Sequence, residues 1–149
     1  MKFIEVKNYK NIIQECFKTD QELLDKWHIE SGKGLEKCVE RTYKDLMSLE
    51  ENLKFFSIIY ENELIGFFGS EKFYDTKALT SFFIIPKARN KYILNQFWNN
   101  INNHFDNDRF LCGIYSKNTR ALNFLFKNQG KILIECPDSF ILEFNGKEI

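Results

Sequence analysis

An excess of charge of one sign is missing from this sequence: 21 Lys and Arg stand against 21 Asp and Glu, and the formal net charge is zero. That argues against a general nucleic-acid binder, which carries a basic excess or stripe. Long apolar runs are missing as well. The longest, Ser81 to Pro86, has the length of a strand and falls far short of the ~20 residues a membrane helix needs. Met1-Lys2-Phe3-Ile4-Glu5 leads into charge rather than an apolar run, so no signal peptide is expected. Histidine is scarce, with only His28 and His104, and neither is at ligand spacing to a cysteine or to the other. The four cysteines, Cys16, Cys38, Cys112 and Cys136, form no C-x-x-C pair. No metal is expected, and the cysteines read as small buried hydrophobes of a reducing compartment. Proline is nearly absent, while Asn, Lys, Ile and Phe abound, a composition typical of an AT-rich bacterial or phage genome. The expected location is the cytoplasm, or a virion if the gene is a phage's.

What is present is apolar and aromatic. A chain of 149 residues, 44% hydrophobic with 16 Phe, can bury a Phe-rich core, and one globular domain over 1–149 is expected. Lys2 to Val6 alternates as an edge strand. Lys10 to Ile29 carries one apolar helical face, with a break at Thr19-Asp20 where Asp20 can cap a second helix. After the turn Ser31 to Gly34, Leu35 to Leu49 follows the helical period. Leu53 to Tyr60 and Leu64 to Phe73 form a hairpin around Glu61-Asn62-Glu63. Gly66 and Gly69 inside its second strand indicate a bulge or a close backbone approach. Asp75-Thr76-Lys77 is a turn, and Leu79 to Ile85, apolar on both faces, is a central strand. Then come a helix over Lys91 to Phe105, a strand over Arg109 to Tyr115, a helix over Asn118 to Asn128 and a hairpin of Lys131 to Cys136 with Phe140 to Phe144. The strand-helix-strand unit from Leu79 to Tyr115 requires parallel strands, and the hairpins require antiparallel ones. The expected fold class is α/β, a mixed central sheet with helices on both faces.

Phe82 to Gly130 carries the most specific pattern. A buried strand ends at Pro86, a basic turn with Arg89 and Lys91 follows, and a helix begins at once. A helix N-terminus beside a basic turn is an anion site suited to phosphates. Asn118-x-Arg120-Ala121-Leu122, then Lys127 and Gly130, follow the next strand. This order and these residues resemble the GNAT superfamily, the acyl-CoA-dependent N-acyltransferases, over most of the chain. The resemblance implies acetyl-CoA or another acyl-CoA as cofactor, lying in the splay between the strand ending at Ile85 and the strand ending at Tyr115. It implies cofactor contacts from Phe83, Ile84 and Ile85 on the strand, and from Arg89, Asn90, Lys91, Tyr92, Ile93 and Leu94 in the turn and first helical turn. Asn118 and Arg120 complete that set, Asn118 either capping its helix or touching the pantetheine arm. The sequence departs from the family at Tyr92 and Leu94, which stand where the family has glycine. It departs again at Leu125, where the family often has a tyrosine that protonates the departing thiolate.

Direct acyl transfer needs a base for the attacking amine and a donor for the developing oxyanion. Glu71 is the candidate base, with Asp75 behind it; Tyr115 and Tyr74 are candidate hydroxyl donors. Against these stand plainer readings: Arg89 and Lys91 as solvated loop charges, Glu71 as a strand-end charge, the tyrosines as packing at the core edge. Cys112 reads as buried packing, His28 as a surface or cap residue, and His104 as a cation on the C-terminal dipole of its helix. The leading expectation is an N-acyltransferase for a small-molecule or protein amine. The alternative is a GNAT-fold protein that has lost the chemistry and binds a protein partner, such as a virion or other phage component. Neither reading involves nucleic acid or a membrane.

Overall fold

In a computed structural model, residues 1–26, 34–48, 52–73 and 75–146 are described, the side chains of Lys26 and Phe73 apart. Trp27, His28, Tyr74 and most of the Ser31 to Gly34 turn lie outside them. The element order is β1 (Lys2–Glu5), α1 (Lys10–Phe17), α2 (Gln21–Lys26), α3 (Leu35–Met47), β2 (Leu53–Tyr60), β3 (Glu63–Phe73) and β4 (Thr76–Ile84). A 3₁₀ turn, Pro86–Ala88, then leads into α4 (Lys91–His104), β5 (Phe110–Tyr115), α5 (Thr119–Lys127), β6 (Lys131–Glu135) and β7 (Ser139–Phe144). The break expected at Thr19-Asp20 is present. Asp20 accepts the Leu23 N–H on Oδ1 at 3.1 Å and starts α2 as its N-cap.

One seven-stranded sheet runs β1-β2-β3-β4-β5-β7-β6. Every pairing is antiparallel except β4 with β5, as the strand-helix-strand unit requires. β4 begins at Thr76 rather than after Lys77, because Phe73↔Thr76 and Lys72↔Lys77 continue the ladder and tighten the turn. Both strand glycines do what their positions suggested. A Cβ on Gly66 would lie 2.1 Å from the Phe83 carbonyl oxygen, and the ladder slips beside Gly69.

Adjacent residues of a strand point to opposite faces, and Phe67 and Phe68 show how the two layers are built. Phe67 stacks with Phe55 and meets Phe17 of α1, while Phe68 meets Phe97 of α4. Helices α1 and α3 therefore cover one face. α4 and α5 cover the other, where Trp98 packs on Phe110 and Phe124 on Phe82. Among the described residues, no helix covers the outermost strand β6 in this way. Ile132, Leu133 and Ile134 are all about half exposed, and Lys131, Glu135 and a bulge at Leu133 blunt the edge against further pairing.

Two expectations need correction here. Cys136 is exposed, because it follows this uncovered strand; Cys16, Cys38 and Cys112 are buried, and burial pushes the Cys16 and Cys112 thiols up to about 12. His104 ends α4 as expected, but burial disfavours the cation expected there. It sits edge-on to Phe3, Phe56, Phe68 and Phe105 and shares a 3.1 Å hydrogen bond with Ser70. Burial, chiefly, lowers its pKa, with Lys54 and Lys77 adding to the shift and Asp106 opposing it. The unfolded chain then takes up a proton that the folded chain resists, so stability rises with pH across this window. Stability is expected to be fully present above the ordinary imidazole value of about 6.5 and to fall as pH drops toward the lowered folded pKa. His104→Gln should flatten that slope in urea titrations between pH 7 and 5. Parallel curves for the two proteins would contradict it.

Candidate functional site

The site arises from an interrupted sheet. β4 and β5 pair at only two positions, Ala78↔Leu111 and Leu79↔Cys112. Beyond them the strands part, and Thr80–Ile84 faces Gly113–Tyr115 across a splay. The cause lies on the other side of β4. Gly69 pairs with Ser81 and Ser70 with Leu79, so Thr80 is an extra residue, bulged out of the ladder. Thr80 Oγ1 is buried with no hydrogen-bond partner among the described residues. Gly69 leaves room for it, since a Cβ there would come within 2.6 Å of that oxygen.

Beside the bulge is a cleft of about 340 Å³. Glu71, Thr76 and Thr80 supply its polar groups, Leu79, Leu111 and Ile141 its apolar walls, and Ala78 and Gly113 keep it open. Glu71 lies across β3–β4 from Ala78. Burial raises its carboxyl pKa above the usual range. Gly113 and Tyr115 share one face of β5. Tyr115 is 36% exposed, and its hydroxyl accepts from Arg41 of α3 at 3.3 Å. Asp75 lies in the exposed turn and does not line the cleft.

Above the splay, Phe83, Ile84 and Ile85 are buried, as expected of the strand end. The Ile85 N–H bonds the Ile65 carbonyl of β3 at 2.8 Å. By the alternation of a strand, the main-chain edges of Ile84 and Phe82 face the splay. Asn90 caps α4, accepting the Ile93 N–H at 2.9 Å. The Lys91 and Tyr92 N–H groups belong to the first helical turn, which has no intrahelical acceptors. Tyr92 is 66% exposed and stands beside Tyr60 at the end of β2, on the side of β4 away from β5. Ile93 and Leu94 pack against the core. Tyr92, one of the two bulky residues at the glycine positions, is therefore turned away from the splay. Asn118 caps α5, accepting the Ala121 N–H at 3.3 Å. Leu125 is fully buried, so that helix offers no hydroxyl there.

The two arginines behave differently from Lys91. Arg89 donates to Asp20 Oδ2 and to the Ile84 carbonyl, each at 2.7 Å, and its guanidinium lies 5.1 Å over the Phe83 ring. Arg120 donates to Glu22 at 3.3 Å. Both cations are thus tied to the start of α2. Lys91 is exposed and has no ion-pair partner among the described residues. Sequence reasoning missed Thr80, Arg41 and the pairing of Asp20 with Arg89. Only Thr80 left a trace, in the strand glycine that faces it. Among the described residues no three metal-binding side chains cluster, and no helix is long and apolar enough to cross a membrane.

Neither a protein-family profile nor a curated protein sequence matches the chain. Solved structures do. An acetyltransferase from Thermus thermophilus superposes with a TM-score of 0.74 at 13% identity, over 97% of this chain and 96% of that one. The PaiA N-acetyltransferase from Thermoplasma acidophilum, seen in complex with coenzyme A, gives 0.66 at 16%, over 97% and 99%. A GNAT-family acetyltransferase from Staphylococcus aureus gives 0.65 at 17%, over 98% and 99%. What the chain shares with these proteins is the fold: its architecture is that of the GNAT acetyltransferases.

Proposed function

We propose that the protein is an acyl-CoA-dependent N-acyltransferase that moves an acetyl group to a primary amine. The observation that carries this reading is the splay of β4 from β5 directly beside a cleft lined by the half-buried carboxyl of Glu71. Three features fit an acyl-CoA: a strand edge at Phe82 and Ile84 that does not pair with β5 and of which Arg89 takes only the Ile84 carbonyl, for the amides of a pantetheine arm, the N-terminus of α4 for a pyrophosphate, and Asn118 at the far side of the splay. Bound acyl-CoA supplies an activated thioester, whose C–S bond breaks as the new C–N bond forms.

The chain's own residues do the rest. Glu71 takes the proton from the attacking amine, and its raised pKa brings it nearer to neutral pH, where a general base works best. Tyr115, held by Arg41, is the hydroxyl placed to return a proton to the leaving sulfur. Lys91 and the N–H groups of Lys91 and Tyr92 meet phosphate oxygens. Lys91→Ala is expected to weaken acetyl-CoA binding about tenfold, or ~1.4 kcal/mol, in calorimetric titrations. An unchanged affinity would return Lys91 to the solvated surface. The reading itself is tested by titrating the protein with acetyl-CoA and following thiol release with an amine panel. Micromolar binding and amine-dependent release are expected; no heat at millimolar cofactor and no release would sink it.

A second reading has an observation of its own. Arg89 and Arg120, two of the cations that could meet phosphates, are paired with Asp20 and Glu22. That favours a fold kept for binding a protein partner, and the same titration separates the two.

A further inference from the structure

Helix α4 is fastened at its far end to the hairpin that carries Glu71. His104, the last residue of the helix, shares its 3.1 Å hydrogen bond with Ser70 of β3, and Ser70 is buried. Phe56, Phe68 and Phe105 pack edge-on around the imidazole and keep it in place. A second tie runs to β4, where Lys77 Nζ donates to the Phe105 carbonyl at 3.3 Å and pairs with Asp106 and Asp108. Ser70 stands at a decisive point of the sheet. The β3–β4 ladder slips there, with Gly69 opposite Ser81 and Ser70 opposite Leu79. Leu79 in turn pairs with Cys112 of β5, one of the two pairings at the root of the splay. Glu71 is the next residue along β3. Successive side chains of a strand point to opposite faces, so while Ser70 meets α4, Glu71 reaches the other face and lines the cleft.

We propose that His104 is a positioning residue: by holding Ser70 at the slip, it fixes the main chain that carries Glu71 and so sets how that carboxyl enters the cleft. The proposal rests on the transferase reading for what Glu71 does there; the coupling of His104 to Glu71 does not depend on it. The helix that ends at His104 begins at Lys91, and its 14 residues make a strut of roughly 20 Å at about 1.5 Å per residue. One rigid element thereby joins the N–H groups read as a phosphate site to the strand that bears the base. Three charged groups bear on the imidazole: Lys54, opposite Ser70 on β2, Lys77 on β4, and Asp106 just past the helix. Burial and the two lysines outweigh Asp106, so His104 is neutral above the ordinary imidazole value of about 6.5. A neutral side chain that keeps the bond to Ser70 can therefore take its place. Glutamine does so, because its terminal amide reaches about as far as Nε2 and both donates and accepts.

The test reads Glu71 with no substrate present. Its carboxyl titration is followed by NMR in the wild type, in His104→Leu, in Ser70→Ala, in the double variant and in His104→Gln. The wild-type midpoint is expected above the ordinary carboxyl value of about 4.3. His104→Leu and Ser70→Ala should each move it down toward that value, because a carboxyl released from its place meets more water. The double variant should move it no further than either change alone, the mark of two residues acting through one bond. His104→Gln should leave it where it is. With any amine the wild type turns over, His104→Leu and Ser70→Ala should lower kcat by about tenfold or more while the KM for acetyl-CoA holds, as misplacing a reacting group does. His104→Gln should keep kcat near the wild-type value. Ser70→Ala, a small change, carries the test if His104→Leu does not fold. A Glu71 midpoint that stays put when the bond is removed would overturn the proposal, and so would a His104→Gln protein as disturbed as His104→Leu. Because the titration needs neither acetyl-CoA nor an amine, a wild type without turnover would sink the transferase reading alone.

Discussion

Arg89→Ala is expected to lower the stability of the protein by about 3 kcal/mol, because removing one partner of a buried ion pair strands the other charge. Asp20 is that charge, with only 6% of its side chain exposed against 20% for Arg89. One carboxylate oxygen of Asp20 caps α2 and the other receives Arg89, so the residue joins the start of α2 to the turn before α4. Arg89 also closes that turn onto the end of β4 through the Ile84 carbonyl and the Phe83 ring. The magnitude is set at the low end of the buried-pair range because the guanidinium keeps some contact with water. For a chain of this size the loss corresponds to a fall in melting temperature of about 6–12 °C. Arg120→Ala is the control. Its pair with Glu22 is about 60% exposed, and such pairs contribute at most about 1 kcal/mol. Urea titration of both variants checks the contrast. If Arg89→Ala costs no more than Arg120→Ala, the Asp20 pair is not the tie described, and Arg89 becomes available to a phosphate.

Glu71→Gln is expected to abolish most catalysis while leaving the fold intact or firmer. A positioned general base contributes about 10²–10⁴-fold, and the variant should lose that much in kcat/KM with any amine the wild type turns over. The stability effect has the opposite sign. Burial raises the pKa of Glu71, so the folded protein favours its neutral form. Its contribution to stability is therefore present below the unfolded carboxyl value of about 4.3 and is lost as pH rises through the raised folded pKa. At neutral pH the charged Glu71 is a cost, and glutamine removes it. Activity should climb with pH as Glu71 loses its proton, level off above its folded pKa, and lose that limb in the variant. Retention of activity within tenfold of wild type would remove Glu71 from the mechanism.

Local chemistry was legible in the sequence wherever the cause lies within a few residues. The Asp20 cap, the parallel unit from β4 to β5, the cap at Asn118 and the close approaches at Gly66 and Gly69 all follow from neighbouring residues and turn rules. What the sequence hid depends on distant partners. Arg89 and Asp20 are 69 residues apart, so a loop arginine read as a phosphate ligand is also a structural tie. Arg41 meets Tyr115 across 74 residues. His104 looked like a helix-end cation because Phe3, Phe56 and Phe68, which pack around it, come from strands distant in sequence. Cys136 follows the apolar run Ile132 to Ile134, but that run belongs to an edge that no helix covers among the described residues. Thr80 stands between in kind: the glycine beside it signals a bulge, but only the assembled cleft shows that its hydroxyl has no partner.

The most direct test of the central claim, an acyl-CoA held between β4 and β5, is an amide-resolved NMR titration with acetyl-CoA. The account predicts saturable shifts at Phe82 and Ile84 on the open strand edge, at Lys91 and Tyr92 where α4 begins, and at Gly113 across the splay, with the β1 and β6 edges unmoved. No shifts at millimolar acetyl-CoA, or shifts confined to those edges, would contradict it.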